Sequence, residues 1–211
     1  MIMKEVFLGI GTNMADRENN LNEALTSIEK YIGKIVKASS VYETEPWGFK
    51  AETEFLNMVV KVETKLTPSG LLGRILMIES LLGRIRANTR YLSRVIDIDI
   101  LLFEDLIIDQ ESIKIPHPLM HERKFVLVPL CEIEPEIIHP VKKVTIRSLL
   151  ASCSDKSLVV KAGTQNNQIN PLSASCNIPY QRLSGDRATE YPSCFRLLLF
   201  SVLFWCPTRL D

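Results

Sequence analysis

The sequence predicts an α+β fold in which helices cover an antiparallel sheet, and three observations predict it. Short apolar runs recur at strand length, two segments carry apolar residues at helical spacing, and the two kinds alternate along residues 1–163 of the 211. Composition agrees with one ordinary domain plus an appendage, since 46% of residues are hydrophobic and 24% charged.

Taken in order, residues 6–10 are an apolar run ending in Gly11-Thr-Asn13, the pattern of a buried strand entering a turn. Leu21, Ala24, Leu25, Ile28 and Ile32 then recur at helical spacing, and Gly33 is expected to stop that helix. Residues 35–42 and 55–62 read as strands, separated by the loop Thr44-Glu-Pro-Trp-Gly-Phe-Lys50, which holds more aromatic surface than a plain turn requires. A second helix is predicted over 68–82: Thr67 can cap it, Pro68 takes the first helical position, and Leu71, Leu72, Ile75, Ile78 and Leu82 form its apolar face. Residues 95–103 give a further strand. The resulting β-α-β-β-α-β order is the ferredoxin-like arrangement, with helices on one face of the sheet.

Charge excludes several function classes. Lys plus Arg and Asp plus Glu number 25 each, and no basic run occurs, so an electrostatic grip on nucleic acid or on an anionic membrane is not expected. The first residues lack the long apolar stretch of a secretory signal, which predicts a cytoplasmic protein. Residues 197–206 are apolar but only about half the roughly 20 residues a spanning helix needs. Five cysteines form no Cys-x-x-Cys pair and read as free thiols.

Composition changes near Gly163. Every lysine lies at or before Lys161 and every methionine at or before Met120, after which comes a stretch rich in Asn, Gln, Ser and Pro. The expected division is therefore a domain over 1–163 and an atypical, poorly ordered tail over 164–211. A segment that binds a partner is the alternative, because Phe200, Phe204 and Trp205 would make it sticky if exposed.

The chemistry centres on Arg94-Val-Ile-Asp-Ile-Asp-Ile-Leu-Leu-Phe103. Strand side chains alternate, so Asp97 and Asp99 share one face about 6.6 to 7 Å apart while Ile96, Ile98 and Ile100 fill the other. On its own the pair reads equally as a magnesium site or as the solvated face of a sheet. Glu79 and the guanidiniums of Arg84, Arg86, Arg90 and Arg94 precede it, and a basic cluster beside an acidic pair suits a polyphosphate with its metal. No Gly-x4-Gly-Lys-Ser/Thr is present, and Gly9-Ile-Gly11 lacks the third glycine of a dinucleotide fingerprint. His117 reads evenly as loop packing or a phosphate contact, and His121 as an exposed residue at a helix start. Zinc lacks a suitably spaced third ligand.

Together these motifs carry a resemblance. Gly9-Ile-Gly-Thr-Asn13, Tyr42-Glu-Thr-Glu-Pro-Trp-Gly48, Phe55-Leu-Asn57, Glu79 with Gly83-Arg-x-Arg86, Arg94-x-x-Asp-Ile-Asp-Ile-Leu101 and Pro116-His-Pro-x-x-His-Glu-Arg-x-Phe125 resemble, in order, the 6-hydroxymethyl-7,8-dihydropterin pyrophosphokinases of folate biosynthesis. The resemblance implies transfer of pyrophosphate from ATP to the pterin hydroxymethyl group, with release of AMP, on a ferredoxin-like fold. It implies two magnesium ions on Asp97 and Asp99, and Arg84 and Arg94 acting on the triphosphate. Nucleotide contacts are implied for Glu79, Arg86, Tyr91, Arg94, Ile100, His117 and Arg123. For the pterin, Phe55 and Phe125 would sandwich the ring, while Asn57, Thr44 and the backbone near Trp47 would bind its edge. ATP and a reduced pterin are the expected partners, and no obligate protein partner is evident. Tyr91-Leu-Ser93 departs from the family's commoner Trp-Gly-Pro.

A loose phosphoryl transition state gains little from a strong base, so positioning and electrostatics should supply the rate and no general base is expected. Residues 49–54 and 85–93 are the expected lids. Two rival readings are a ferredoxin-like RNA-binding module, which needs exposed aromatics on central strands, and another magnesium enzyme with Asp-x-Asp.

Overall fold

A computed structural model describes residues 2–45, 53–83 and 95–163. All of these lie in the first of the two units into which the chain divides, Met1–Ser173 and Ala174–Asp211.

The elements run β1 (Lys4–Thr12), α1 (Arg17–Tyr31), β2 (Gly33–Ala38), β3 (Tyr42–Thr44), β4 (Phe55–Thr64), α2 (Pro68–Leu81), β5 (Asp97–Phe103), β6 (Ile108–Asp109), β7 (Lys114–Ile115), α3 (Lys124–Ile133), α4 (Ile146–Ser152) and β8 (Val159–Lys161). The main sheet is ordered β5-β1-β4-β3-β8, with β2 beside β3 on the same edge of β4, and every pairing is antiparallel. This is the ferredoxin-like order, with the second strand split in two and β8 added outside it.

The predicted single strand over 35–42 breaks at Ser39. There the Ser39 N–H donates to the Val59 carbonyl at 2.9 Å, and Ser39 Oγ accepts from the Val59 N–H at 3.0 Å. A side chain thus stands in for the missing backbone partner and keeps β4 satisfied across the break.

Gly33 also differs from expectation. The helix closes at Ile32, whose N–H bonds the Ile28 carbonyl and whose own carbonyl accepts from Thr64 Oγ1 at 2.7 Å. Gly33 instead opens β2, where a Cβ would lie 2.1 Å from the Glu63 carbonyl oxygen. Close approach of two strands, not a left-handed turn, requires glycine here. Helix α2 begins as predicted, with Thr67 Oγ1 accepting from the Gly70 N–H at 3.2 Å and Pro68 in its first turn.

Helices cover both faces of the sheet rather than one. On the first face, Leu21, Ala24 and Ile28 of α1 and Leu71, Ile75 and Ile78 of α2 bury side chains of β1, β4 and β5, Ile98 and Ile100 among them, together with Ile96 just before β5. On the second, α3 and α4 cover Phe7, Val59, Leu101 and Leu102. Each fully buried Leu, Ile or Phe contributes about 1.5–3 kcal/mol, so both faces hold the sheet. Helix α3 is fastened by Glu132, which accepts from the Ser40 N–H at 2.7 Å, from Tyr42 Oη at 3.2 Å and from Lys161 Nζ at 3.2 Å. Burial, reinforced by the Glu132 charge, pushes the Tyr42 phenol up to about 12.

Among the described residues, α3 and α4 cover the second face only in part. A bulge in the β1–β5 ladder falls where Leu8 pairs with Ile100 and Phe7 with Leu102, so Leu101 is the extra residue. Beyond it, toward the start of β5, the sheet carries the polar and acidic residues of the candidate site.

Candidate active site

Register builds the site. Gly11 on the central strand β1 pairs with Asn57 of β4 on one side and with Asp97 of β5 on the other, and Gly9 likewise stands between Val59 and Asp99. Partners directly opposite project to the same face, so a carboxylate and an amide flank a strip of bare backbone. A Cβ on Gly11 would lie 3.0 Å from Asn57 Oδ1, tighter than the site tolerates without moving the amide. The glycines that fail as a dinucleotide motif therefore serve to open a floor between side chains.

Asn57 is oriented from below. Only 7% exposed, it donates from Nδ2 to Thr44 Oγ1 at 2.7 Å, and Thr44 is 3% exposed. Phe55 pairs with Thr44 in the register, which brings Thr44, Phe55 and Asn57 together. Phe125 lies in the first turn of α3 against the second-face core, with the Arg123 guanidinium carbon 5.6 Å from its ring centroid.

The acidic strand is pinned at three places. Its ladder with β1 holds one edge, and at its entry Thr12 Oγ1 donates to the Val95 carbonyl at 2.6 Å. Asn20 Nδ2 in turn donates to Thr12 Oγ1 at 3.3 Å and to the Met14 carbonyl at 2.9 Å. The third pin is Glu79, 2% exposed, whose Oε1 accepts the Ile98 N–H at 3.0 Å. Asp97 and Asp99 themselves are half-buried on the opposite side of the strand from Ile98. Ile100, 8% exposed, faces the core of α1 and α2.

The bulge positions the histidine. The Leu101 carbonyl accepts the His117 N–H at 2.9 Å, which ties the Pro-His loop to β5 just past the acidic pair. His117 Nδ1 accepts the Leu119 N–H at 3.2 Å, so a neutral ring carries its proton on Nε2. Burial first, then the Arg123 charge, lower this imidazole from 6.5 to about 4, against an opposing pull from Asp97. His117, Arg123 and Asp97 therefore share one electrostatic neighbourhood, and the ring is a neutral donor at ordinary pH.

His121 is not part of this group. It sits in a 3-10 turn, Met120–Glu122, with its side chain 21% exposed, its ring edge-on to His139 at 6.0 Å. Trp47, Arg84, Arg86, Arg90, Tyr91 and Arg94 lie outside the described residues, as do residues 85–93 and most of 49–54 of the expected lids, and the tail. Of the cysteines, Cys131 and Cys153 are described and are free thiols.

The RNA-binding reading conflicts with the covered face, because Phe7 on the central strand is 1% exposed beneath α3 and α4. Among the described residues, no helix is long and apolar enough to cross a membrane.

A ferredoxin-like sheet that gathers paired carboxylates, a buried amide and a neutral imidazole at one end defines the class of protein, a ferredoxin-like α+β domain with a polar site on one face of its sheet. The comparisons give the particular family. The description 7,8-dihydro-6-hydroxymethylpterin-pyrophosphokinase (HPPK) matches residues 7–135. A 2-amino-4-hydroxy-6-hydroxymethyldihydropteridine pyrophosphokinase of Aquifex aeolicus is 42% identical over 139 residues, 66% of this chain and 86% of that one. Its namesake from Methylorubrum extorquens is 41% identical over 150 residues, covering 71% and 93%. Among solved structures, a Plasmodium falciparum HPPK-DHPS with pteroate superposes with a TM-score of 0.60 at 22% identity, over 71% of this chain and 44% of that longer one. The chain belongs to the HPPK family and is a pyrophosphokinase.

Proposed function

We propose that this enzyme transfers the β,γ-pyrophosphoryl group of ATP to the hydroxymethyl oxygen of 6-hydroxymethyl-7,8-dihydropterin, giving the pterin diphosphate and AMP for folate biosynthesis. The observation that carries the reading is the row Asn57–Gly11–Asp97, which sets a buried amide and a carboxylate on either side of side-chain-free backbone.

The donor set fits magnesium. Asp97 and Asp99 offer half-buried oxygen ligands on one face, the number and type that leave room for waters and phosphate oxygens. These two carboxylates would hold two magnesium ions, which when bound neutralise phosphate charge. His117 would donate from Nε2 to a phosphate oxygen, and Arg123 would add positive charge beside it. Arg84 and Arg94 are proposed on the triphosphate, and Arg86 and Tyr91 at the nucleotide, from the resemblance alone; Ile100, its side chain packed in the core, would meet the nucleotide through its backbone.

On the acceptor side, Phe55 and Phe125 would hold the flat ring between them, Asn57 and Thr44 with the backbone near Trp47 would bind its polar edge, and the hydroxymethyl oxygen would then lie in line with the phosphate chain. Positioning, not proton abstraction, carries the rate in this account. The test is product analysis of the purified full chain with ATP, magnesium and the pterin. AMP in equal yield with pterin diphosphate supports the reading, and ADP, or nucleotide release independent of the pterin, refutes it.

A further inference from the structure

Glu79 carries a feature that a nucleotide contact does not explain. Its side chain is buried on the α2 side of the sheet, and its Oε1 accepts the N–H of Ile98, the residue between Asp97 and Asp99. In the main sheet, β5 is the outermost described strand on that side, so this N–H has no further strand to pair with. An edge peptide left to water would allow the segment to rock, and a rotation of the Ile98 peptide moves both neighbouring carboxylates together.

We propose that Glu79 is a positioning residue that locks the Ile98 peptide and so fixes the spacing and aim of Asp97 and Asp99 for the divalent metal. This rests on the metal role of that pair. Helix α2 supplies the lock from the far side of the sheet, through Ile75 and Ile78 packed in the first-face core. Such outer partners typically change metal affinity by about 10–100-fold.

The test compares wild type, Glu79→Gln, Glu79→Asp and Glu79→Ala of the full chain. Mn2+ binding is read by electron paramagnetic resonance in the presence of a non-hydrolysable ATP analogue, and analogue binding without metal by fluorescence. Glu79→Gln keeps an acceptor oxygen and should bind Mn2+ near the wild-type affinity. Glu79→Asp, one carbon short, and Glu79→Ala should bind it about 10–100-fold more weakly, a larger fall than any in metal-free analogue binding, which reads direct contact of Glu79 with the nucleotide. Should Glu79→Ala fail to fold, Glu79→Asp alone decides. Wild-type Mn2+ affinity in a folded Glu79→Asp, or a loss confined to metal-free analogue binding, overturns the proposal. A wild-type protein that binds no Mn2+ with the analogue would instead remove the metal role of Asp97 and Asp99.

Discussion

Asn57 and Asp97 share one register partner, Gly11, although they lie on strands that do not pair with each other. The width of a single glycine strand therefore sets the separation between the amide proposed for the pterin and the carboxylate proposed for the metal.

That relationship predicts the behaviour of Gly11→Ala. The added methyl meets Asn57 Oδ1 at 3.0 Å and must displace it. Overpacking of this size costs about 1–3 kcal/mol, partly offset by the lower chain entropy of alanine. Pterin affinity, measured by isothermal titration, should fall roughly tenfold or more because a buried polar contact is misplaced. Unchanged affinity would mean that the floor is not where the ring lies.

Thr44 should matter through Asn57. Thr44→Val keeps the shape but strands Nδ2 of a buried amide, at a cost of about 1–3 kcal/mol in stability by denaturant titration. Thr44→Ser should retain most of both stability and pterin binding. Equal losses in the two variants would argue for methyl packing instead.

Asp97→Asn and Asp99→Asn should each lower turnover by at least about a hundredfold, the scale for losing a charge that stabilises a transition state. Their melting curves should stay near wild type, because both carboxylates are only half-buried on one sheet face. Steady-state kinetics at saturating magnesium, read with a thermal melt, checks both halves. Near-normal turnover in either variant would refute the assignment.

His117 sets a pH dependence with a definite sign. Its folded value of about 4 lies below the ordinary 6.5, so the unfolded chain binds a proton first as pH falls. Its contribution to stability is complete above about pH 6.5 and is lost progressively between there and pH 4. The ring resonance of His117 in metal-free protein should titrate near 4 by NMR, and a midpoint near 6.5 would show that the ring is open to water.

Truncation after Gly163 should leave turnover and solubility unchanged, as the break in composition and the family match over residues 7–135 suggest. A large fall in either would assign residues 164–211 to the working domain.

Much of this architecture was legible because single-element signals are local. The Thr67 cap, the helical spacing of Leu71, Ile75 and Ile78, and the alternation of Asp97 and Asp99 against Ile98 and Ile100 all lie within one element each. What was hidden depends on a distant partner. Ser39 splits an edge strand through a bond to Val59, and Glu79 grips Ile98 across 19 positions. The Leu101 bulge that seats His117 exists only in the pairing with β1. Helix α3 was missed for another reason. Pro129 lies inside it, and its apolar residues run almost continuously, so neither period nor stop signal marks it. Helix α4, at 7 residues, is too short to show a period.

The most direct measurement is a crystal structure of the full chain with magnesium and a non-hydrolysable ATP analogue. The account predicts metal density about 2.0–2.1 Å from carboxylate oxygens of both Asp97 and Asp99, with phosphate oxygens completing the shell. Metal and phosphates bound elsewhere, with both carboxylates turned to bulk solvent, would contradict it.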